Sequence, residues 1–528
     1  MSQLPLSISS LSQLPQWLSN QYANVPAVRE GNTQISFTEL NGHCRAVSQW
    51  FVEILNLSAG DRVIVQMPNG AHYPLLLMSL WRAGLVPVCL TTSADITELE
   101  RVAKLTQAKA LIACHSHSNL AELAVRRGHG LTTVSCSPED FSNWFLFPLK
   151  RLWRHIRKRS PNLADFQFRE AIVYHSDSLM LSARSEVDEV AMIQLTSATT
   201  GQAKAVQLSH RNLLSNVGQL NHRLVDIGIS GPQRLLMPLP IYHSYPSMIC
   251  LMTWCQGGVV EMASDVKEIN HIAELFDRFR PTLFAGVAPL FMGLVQHPLF
   301  PQLDFSMLKC TLSGGAPLNQ AIGDQWQAIT HCVISQGYGL TECSPVVTLD
   351  SSGRFVTGAV GRPLQETEVR IQDESGSELP QGSAGEICIR GPQVMLGYAG
   401  QVDTQFEQGW FRTGDIGRVD PDGSLHMIER QSDVISLVGN FKIYPSEVEA
   451  LISQHPDITD CAFGSYQEDG EIKLRLFVVT NNRRLTQKMI RNYCRQRLTA
   501  YKVPHLIELR RALPHSSVGR VLRSGLVD

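Results

Sequence analysis

Through most of this chain short apolar runs alternate with longer segments of helical periodicity, and that alternation leaves few folds open. Asp61 to Met67 reads as a strand, and Pro68-Asn69-Gly70 ends it. A helical pattern follows from Tyr73 to Ala83, then a second strand from Gly84 to Leu90 and a third from Ala108 to Ala113. Repeated strand–helix–strand units predict parallel sheets covered by helices. From about Gly361 the texture changes. Short alternating segments, Glu368 to Ile371 and Gly385 to Arg390, are separated by glycine and proline turns, which predicts antiparallel β structure. Past Arg430 the pattern is mixed: helix over Val448 to Ile452, strand over Leu474 to Val479, helix over Met489 to Leu498. The predicted fold is α/β. Residues 1–431 would form a large unit of mixed and parallel sheets with a β-rich portion at about 350–430. Residues 432–528 would form a small α+β unit, with the boundary near Gln431–Asp433.

A chain of 528 residues exceeds what one core supports, which agrees with several units. The formal net charge of −2 supplies no global attraction to nucleic acid or anionic membrane. Twelve cysteines are scattered without a C-x-x-C pair, which argues against a zinc ribbon or disulfide framework and for a reducing compartment. No basic-then-apolar leader is visible at Met1 to Pro5. The longest apolar runs, such as Pro74 to Trp81, stop at about eight residues, where a membrane span needs about 20. The expectation is a cytoplasmic protein. One segment, Pro148 to Ser160, sets Leu149, Leu152, Trp153 and Ile156 on one helical stripe and Lys150, Arg151, Arg154, Arg157 and Lys158 on the other side. It fits either a peripheral contact with the inner membrane face or a solvated surface helix.

The apolar run Val190 to Leu195 leads into Thr196-Ser197-Ala198-Thr199-Thr200-Gly201-Gln202-Ala203-Lys204. Small hydroxyl residues leave backbone N–H groups open to an anion and the lysine adds a mobile charge, so the loop suits a polyphosphate. A Ser/Thr-rich surface turn has the same composition. The G-x-x-x-x-G-K-[ST] spacing is absent, which excludes a P-loop. Five further segments follow in order: Pro238 to Ser244 (PLPIYHS), Ser313 to Leu318 (SGGAPL), Gln336 to Glu342 (QGYGLTE), Gly409 to Asp415 (GWFRTGD), and Asp433 to Glu449.

In these six segments the sequence resembles the adenylate-forming superfamily of acyl-CoA synthetases, luciferases and peptide-synthetase adenylation domains. The likeness runs from Ile35 to Arg523, and Phe147–Ala171 is similar to the matching region of bacterial long-chain fatty acid–CoA ligases. The resemblance implies that a carboxylate attacks the α-phosphorus of ATP, giving acyl-AMP and pyrophosphate, and that a thiol of CoA or of carrier-protein phosphopantetheine then displaces AMP. It implies that Thr196, Ser197, Thr199, Thr200, Gly201 and Lys204 hold phosphates, that Glu342 ligates Mg²⁺ and that Thr341 touches the α-phosphate. Gly314, Gly315, Ala316 and Pro317, with Gly337, Tyr338 and Gly339, would frame the adenine. Asp415 would accept from both ribose hydroxyls, with Arg430 in support. His243, Ser244 and Gly314 would border the acyl group, and His243 would gate its pocket. Gly439 and Lys442, in the mobile C-terminal lid, would line the thiol route.

Three positions depart from the family pattern. Ala198 and Ser432 replace the usual glycine and the usual Asp or Lys. Arg520 replaces the lysine that joins carboxylate and ATP, exchanging a compact point charge for a planar fork. Three readings follow: a fatty acyl–CoA ligase with Arg520 in the lysine's role, an adenylating enzyme serving an acyl carrier protein, or a nucleotide- and acyl-binding relative weakened in catalysis.

Overall fold

The computed structural model describes residues 7–31, 33–115, 120–128, 130–137, 164–175, 185–196, 203–401, 405–437, 441–468, 471–515, 521 and 523–526. Among these, one sheet of eight strands runs in the order Gly397–Tyr398, Ala205–Ser209, Val190–Leu195, Val86–Cys89, Arg62–Gln66, Ala110–Cys114, Thr132–Cys136 and Phe166–Gln167. It is parallel except where Ala205–Ser209 folds back on Val190–Leu195 and Gly397–Tyr398 pairs antiparallel with Ala205–Ser209. The strand period of two explains its layering. Val63, Val65, Ile112 and Met192 point into one core, whereas Ile64, Leu111 and Ile193 point into another, beneath the helix Ile96–Thr106 that contributes Leu99 and Val102.

A second sheet of nine strands has a parallel centre made of Val259–Met262, Arg234–Met237, Leu283–Gly286, Cys310–Ser313 and Ile334–Gly339. Antiparallel strands close both edges. Its apolar side chains share the larger core with the first sheet. Two helices in that core explain the long apolar runs. His72–Arg82 is buried at every residue, and Ser244–Cys255 is buried over most of its length. A helix without a polar face has to be enclosed. Trp81 nonetheless satisfies its indole N–H on the Ala191 carbonyl at 2.8 Å.

The region after Gly361 is antiparallel as expected, with Glu368–Gln372, Gly385–Arg390, Trp410–Val419, Leu425–Arg430 and Phe406–Glu407 in one sheet. It is not closed on itself. Arg362–Pro363 joins the nine-stranded sheet and Gly397–Tyr398 joins the eight-stranded one. Beyond it, Asp460–Glu468, Glu471–Val479 and Leu506–Arg510 form a sheet with its own core, which includes residues of the helices Pro445–Ile452 and Gln487–Arg497. All twelve cysteines are buried thiols. No helix among the described residues is long and apolar enough to cross a membrane. The basic segment 148–160 lies outside the described residues.

Candidate functional site

In open parallel sheets, ligands bind beyond the carboxyl ends of the strands. Here three of the singled-out segments leave such ends in one sheet. Pro238 to His243 follows the strand Arg234–Met237, Gly314 to Pro317 follows Cys310–Ser313, and Thr341–Glu342 follows Ile334–Gly339. The last two strands are direct neighbours, with Ser313 opposite Gln336, so the Gly314–Gly315 segment and the strand end Gly337–Gly339 lie at the same edge. Gly315 has a φ of +83°, which a side chain would strain. A Cβ on Gly339 would collide with the Pro345 carbonyl. Ala316 is half-buried and Pro317 exposed on the rim of that edge.

The hydroxyl-rich segment joins the antiparallel strands Val190–Leu195 and Ala205–Ser209 of the other sheet. Its neck is closed by the Thr196 N–H donating to the Lys204 carbonyl at 3.0 Å and by the Lys204 N–H donating to the Thr196 hydroxyl at 3.0 Å. Ser197, Thr199, Thr200 and Gly201 lie outside the described residues. Across the strand pair, Tyr398 sits opposite Val206, and the Lys204 ammonium stands 4.6 Å from the centre of its ring. The Tyr398 hydroxyl reaches Glu342 Oε1 at 2.7 Å and Gln405 Oε1 at 2.6 Å. One hydroxyl proton cannot serve two acceptor oxygens, so a proton on Glu342 or a rotated Gln405 amide completes the pair.

Glu342 occupies the one-turn helix Thr341–Cys343, and its carbonyl accepts the Met395 N–H at 2.8 Å. Burial pushes its carboxyl pKa up, and Asp415 pushes the same way. The Tyr398 hydroxyl, the Glu342 N–H and Arg430 oppose the shift without cancelling it. Asp415 is also buried and lies directly opposite Arg430 on paired strands. Its Oδ2 accepts the Tyr338 hydroxyl at 2.8 Å and its Oδ1 lies 3.1 Å from Arg430 Nε. The Thr413 hydroxyl accepts the Asp415 N–H at 3.0 Å across Gly414, whose φ is +71°, within the strand Trp410–Val419 that presents the carboxylate.

The acyl-side candidates come from the start of the buried helix Ser244–Cys255. The Ser244 hydroxyl lies 3.3 Å from the Thr341 hydroxyl, which joins this helix to the Glu342 turn. His243 precedes the helix, half-buried, with its ring centre 4.7 Å from that of Tyr242. Burial lowers its pKa to about 4, so it is neutral at physiological pH. Gly314 faces the ring of Tyr245.

Thus Lys204, Ser244, Gly314, Tyr338, Thr341, Glu342, Asp415 and Arg430 come together from segments far apart in sequence. Arg520 and Gly439 lie outside the described residues, as does the side chain of Lys442. Sequence reasoning missed Tyr398 and Gln405, which tie the loop lysine to the acidic turn. A two-residue strand, Gly397–Tyr398, carries no periodicity by which to find it. Among the described residues no three His, Cys, Asp or Glu side chains are grouped to hold a metal. Glu342 could supply one hard oxygen ligand, and a divalent ion there would need the rest from phosphates or water.

Comparison with known proteins agrees with this geometry. The model of the AMP-binding enzyme family matches residues 16–399, and that of the AMP-binding enzyme C-terminal domain matches residues 447–520. A long-chain-fatty-acid–CoA ligase of Salmonella typhimurium is 32% identical over 99% of this chain and 95% of its own. A ligase of the same name from Bacillus subtilis is 28% identical over 90% of this chain and 87% of its own. The solved structure of ATP-bound MatB from Rhodopseudomonas palustris superposes with a TM-score of 0.84, at 26% identity, over 98% of both chains. On these matches, and with the family's motifs gathered at the carboxyl ends of the strands, this chain belongs to the AMP-binding enzyme family.

Proposed function

We propose that the protein is an AMP-forming acid–thiol ligase that activates a fatty acid with ATP and passes the acyl group to CoA. The observation that carries this reading is the line of contacts from the Lys204 ammonium over the Tyr398 ring to the hydrogen bond between Tyr398 and Glu342, with Asp415 and Arg430 beside it. It sets a mobile cation, a buried carboxylate and a hydroxyl-bearing turn at one edge, which suits a nucleoside triphosphate with its metal. The names of its relatives suggest the fatty acid and CoA.

In the first half-reaction a substrate carboxylate oxygen bonds to the α-phosphorus as the bond to pyrophosphate breaks. Lys204 and the Thr196–Gly201 hydroxyls and N–H groups would hold the leaving phosphates, and Thr341 would orient the α-phosphate. Asp415 would take the ribose hydroxyls on its remaining lone pairs, and the Gly314–Pro317 segment and the strand end Gly337–Gly339 would flank the adenine. Mg²⁺, held in part by Glu342, would neutralise phosphate charge. In the second half-reaction the thiol sulfur bonds to the acyl carbon and AMP departs. Residues 432–528 would rotate between the two steps, with Gly439 and Lys442 along the thiol route. Arg520 would meet the carboxylate in the first step. The setting would be cytoplasmic, with the segment 148–160 as a peripheral membrane contact.

The test is pyrophosphate release by the purified full chain across carboxylic acids, with CoA or a holo-carrier protein added. Acid-dependent release, completed to thioester by CoA, is expected. Transfer to the carrier protein alone would replace the acceptor, and no release with any acid would overturn the ligase. Arg520→Lys in the same assay measures what the arginine costs.

A further inference from the structure

Tyr245 has a buried hydroxyl with no hydrogen-bond partner. Other tyrosines of the core are satisfied: Tyr338 on Asp415, Tyr398 on Glu342, and Tyr22 on the Cys255 carbonyl. The Tyr73 hydroxyl is also buried without a hydrogen-bond partner, with the Cys89 thiol as its neighbour. Around Tyr245 the nearby ionisable group is the Cys310 thiol, which acts by charge and not by a hydrogen bond. Burial pushes the Tyr245 pKa far up, so the phenol stays protonated and can both donate and accept. Leaving such a group unpaired in a core is costly, so its retention calls for an explanation.

Its position supplies one. Tyr245 is the second residue of the helix Ser244–Cys255, directly after the serine whose hydroxyl meets Thr341. It therefore starts at the reaction end of the site. Its ring ends on Gly314. A Cβ built there would stand 3.4 Å from Cζ, the carbon that bears the hydroxyl. The unpaired O–H thus lies beside a residue without a side chain, at the strand end where the acyl group enters in the ligase reading. A phenylalanine would fill the same volume and leave nothing unpaired. The hydroxyl therefore has no packing role that a plain ring would not serve.

We propose that Tyr245 reads an oxygen on the acyl chain, so that the preferred substrate is a carboxylic acid bearing a hydroxyl or oxo group within the first several carbons. This rests on the ligase reading above and narrows its substrate class. A pocket that merely encloses a chain tolerates an added hydroxyl. A pocket built to bond one discriminates strongly against the acid that lacks it, because the protein group is then left unpaired.

The experiment uses acids of one chain length, unsubstituted or carrying a hydroxyl or oxo group at successive carbons, with pyrophosphate release as the readout. The wild type should favour one substituted acid over the unsubstituted one by at least about tenfold in kcat/KM. Tyr245→Phe should bring that ratio close to one and should melt no lower than the wild type. A wild type that favours no substituted acid overturns the proposal, and so does a preference that survives in Tyr245→Phe. In either case activity on the unsubstituted acid keeps the ligase reading standing. No release with any acid removes the ligase reading and this proposal with it.

Discussion

Two charge clusters in this molecule, the first half-buried and the second buried, are built on opposite plans. The first is centred on Arg523. Its guanidinium donates to both oxygens of Glu449, at 2.7 and 3.1 Å, and to the Phe463 carbonyl at 2.5 Å, and it lies 3.5 Å from Asp433. Burial works against its charge, but Glu449, Glu429 and Asp433 more than reverse that, and its pKa lies above the usual arginine value. Two of its carboxylates also hold backbone: Glu449 accepts the Phe463 N–H at 2.6 Å, and Glu429, whose pKa burial still raises despite Arg523, accepts the Ser446 N–H at 2.7 Å. The second cluster is Glu342 with Asp415. Its cation, Arg430, lies against Asp415, and the Tyr398 hydroxyl, the Glu342 N–H and the charge of Arg430 together leave the Glu342 pKa raised. A compensated cluster holds a fold together, whereas an under-compensated one is where a cation from outside finds its place.

If that contrast is right, substitutions in the two clusters should affect different observables. The largest effect is expected from Arg523→Met, which leaves the half-buried Glu449 and the buried Glu429 without their cation. Breaking a fully buried pair by removing one partner costs about 3–5 kcal/mol, and the partial exposure of this one places the expected loss at the low end, about 3 kcal/mol. Urea unfolding should record that loss, and a variant as stable as the wild type would erase the distinction.

Glu342→Gln should give the reverse signature. Adenylation is expected to fall about 10²- to 10³-fold, as when one preorganised group aimed at developing charge is removed. The ligand-free protein should become more stable at pH 8. The sign follows from the raised pKa of Glu342. A group that holds its proton more tightly when folded stabilises the fold fully below its unfolded pKa, and that stabilisation is lost as pH rises through the folded value. The glutamine cannot ionise, so its advantage in melting temperature should grow from pH 4.5 to pH 8. A melting temperature below that of the wild type at pH 8 would class Glu342 with the anchors.

Asp415→Asn lies between the two. It keeps the shape and one acceptor oxygen but removes the charge opposite Arg430. A tenfold to hundredfold rise in KM for ATP is expected, equivalent to about 1.5–3 kcal/mol for hydrogen bonds to a charged group. If the dominant effect were on stability, Asp415 would belong with the Arg523 cluster.

Parts of both clusters were legible in the sequence because the chemistry is local. The strand Val190–Leu195, apolar but for Gln194, and the strand Gly385–Arg390 have the bounds that their apolar runs predict. Helix starts were less legible. The expected helix from Met489 begins at Gln487, because the Thr486 side chain caps it by accepting the Met489 N–H. The expected helix from Val448 begins at Pro445, where proline suits the first turn. What could not be read was pairing at a distance. The opposition of Asp415 and Arg430 depends on a register that shifts between Ile416 and Gly417, and the docking of Tyr398 beside Lys204 depends on a crossover between sheets.

That unread tyrosine gives the smallest and sharpest test of the contrast. Tyr398 does two things at once: its ring face receives the Lys204 ammonium and its hydroxyl supports the Glu342 carboxylate. Tyr398→Phe keeps the first and removes the second. The Tyr398 hydroxyl is one of the contacts holding the Glu342 pKa down, so without it the carboxyl should keep its proton to higher pH. Adenylation should fall about threefold to tenfold at pH 7, as for the loss of one hydrogen bond worth about 1 kcal/mol. It should recover toward the wild-type rate at higher pH, where Glu342 ionises without help. Tyr398→Leu removes the ring as well, and the part of its defect due to Lys204 should not recover with pH. If the two variants lost activity equally at every pH, the hydroxyl would have no role in the Glu342 charge, and the under-compensation of this cluster would need another cause.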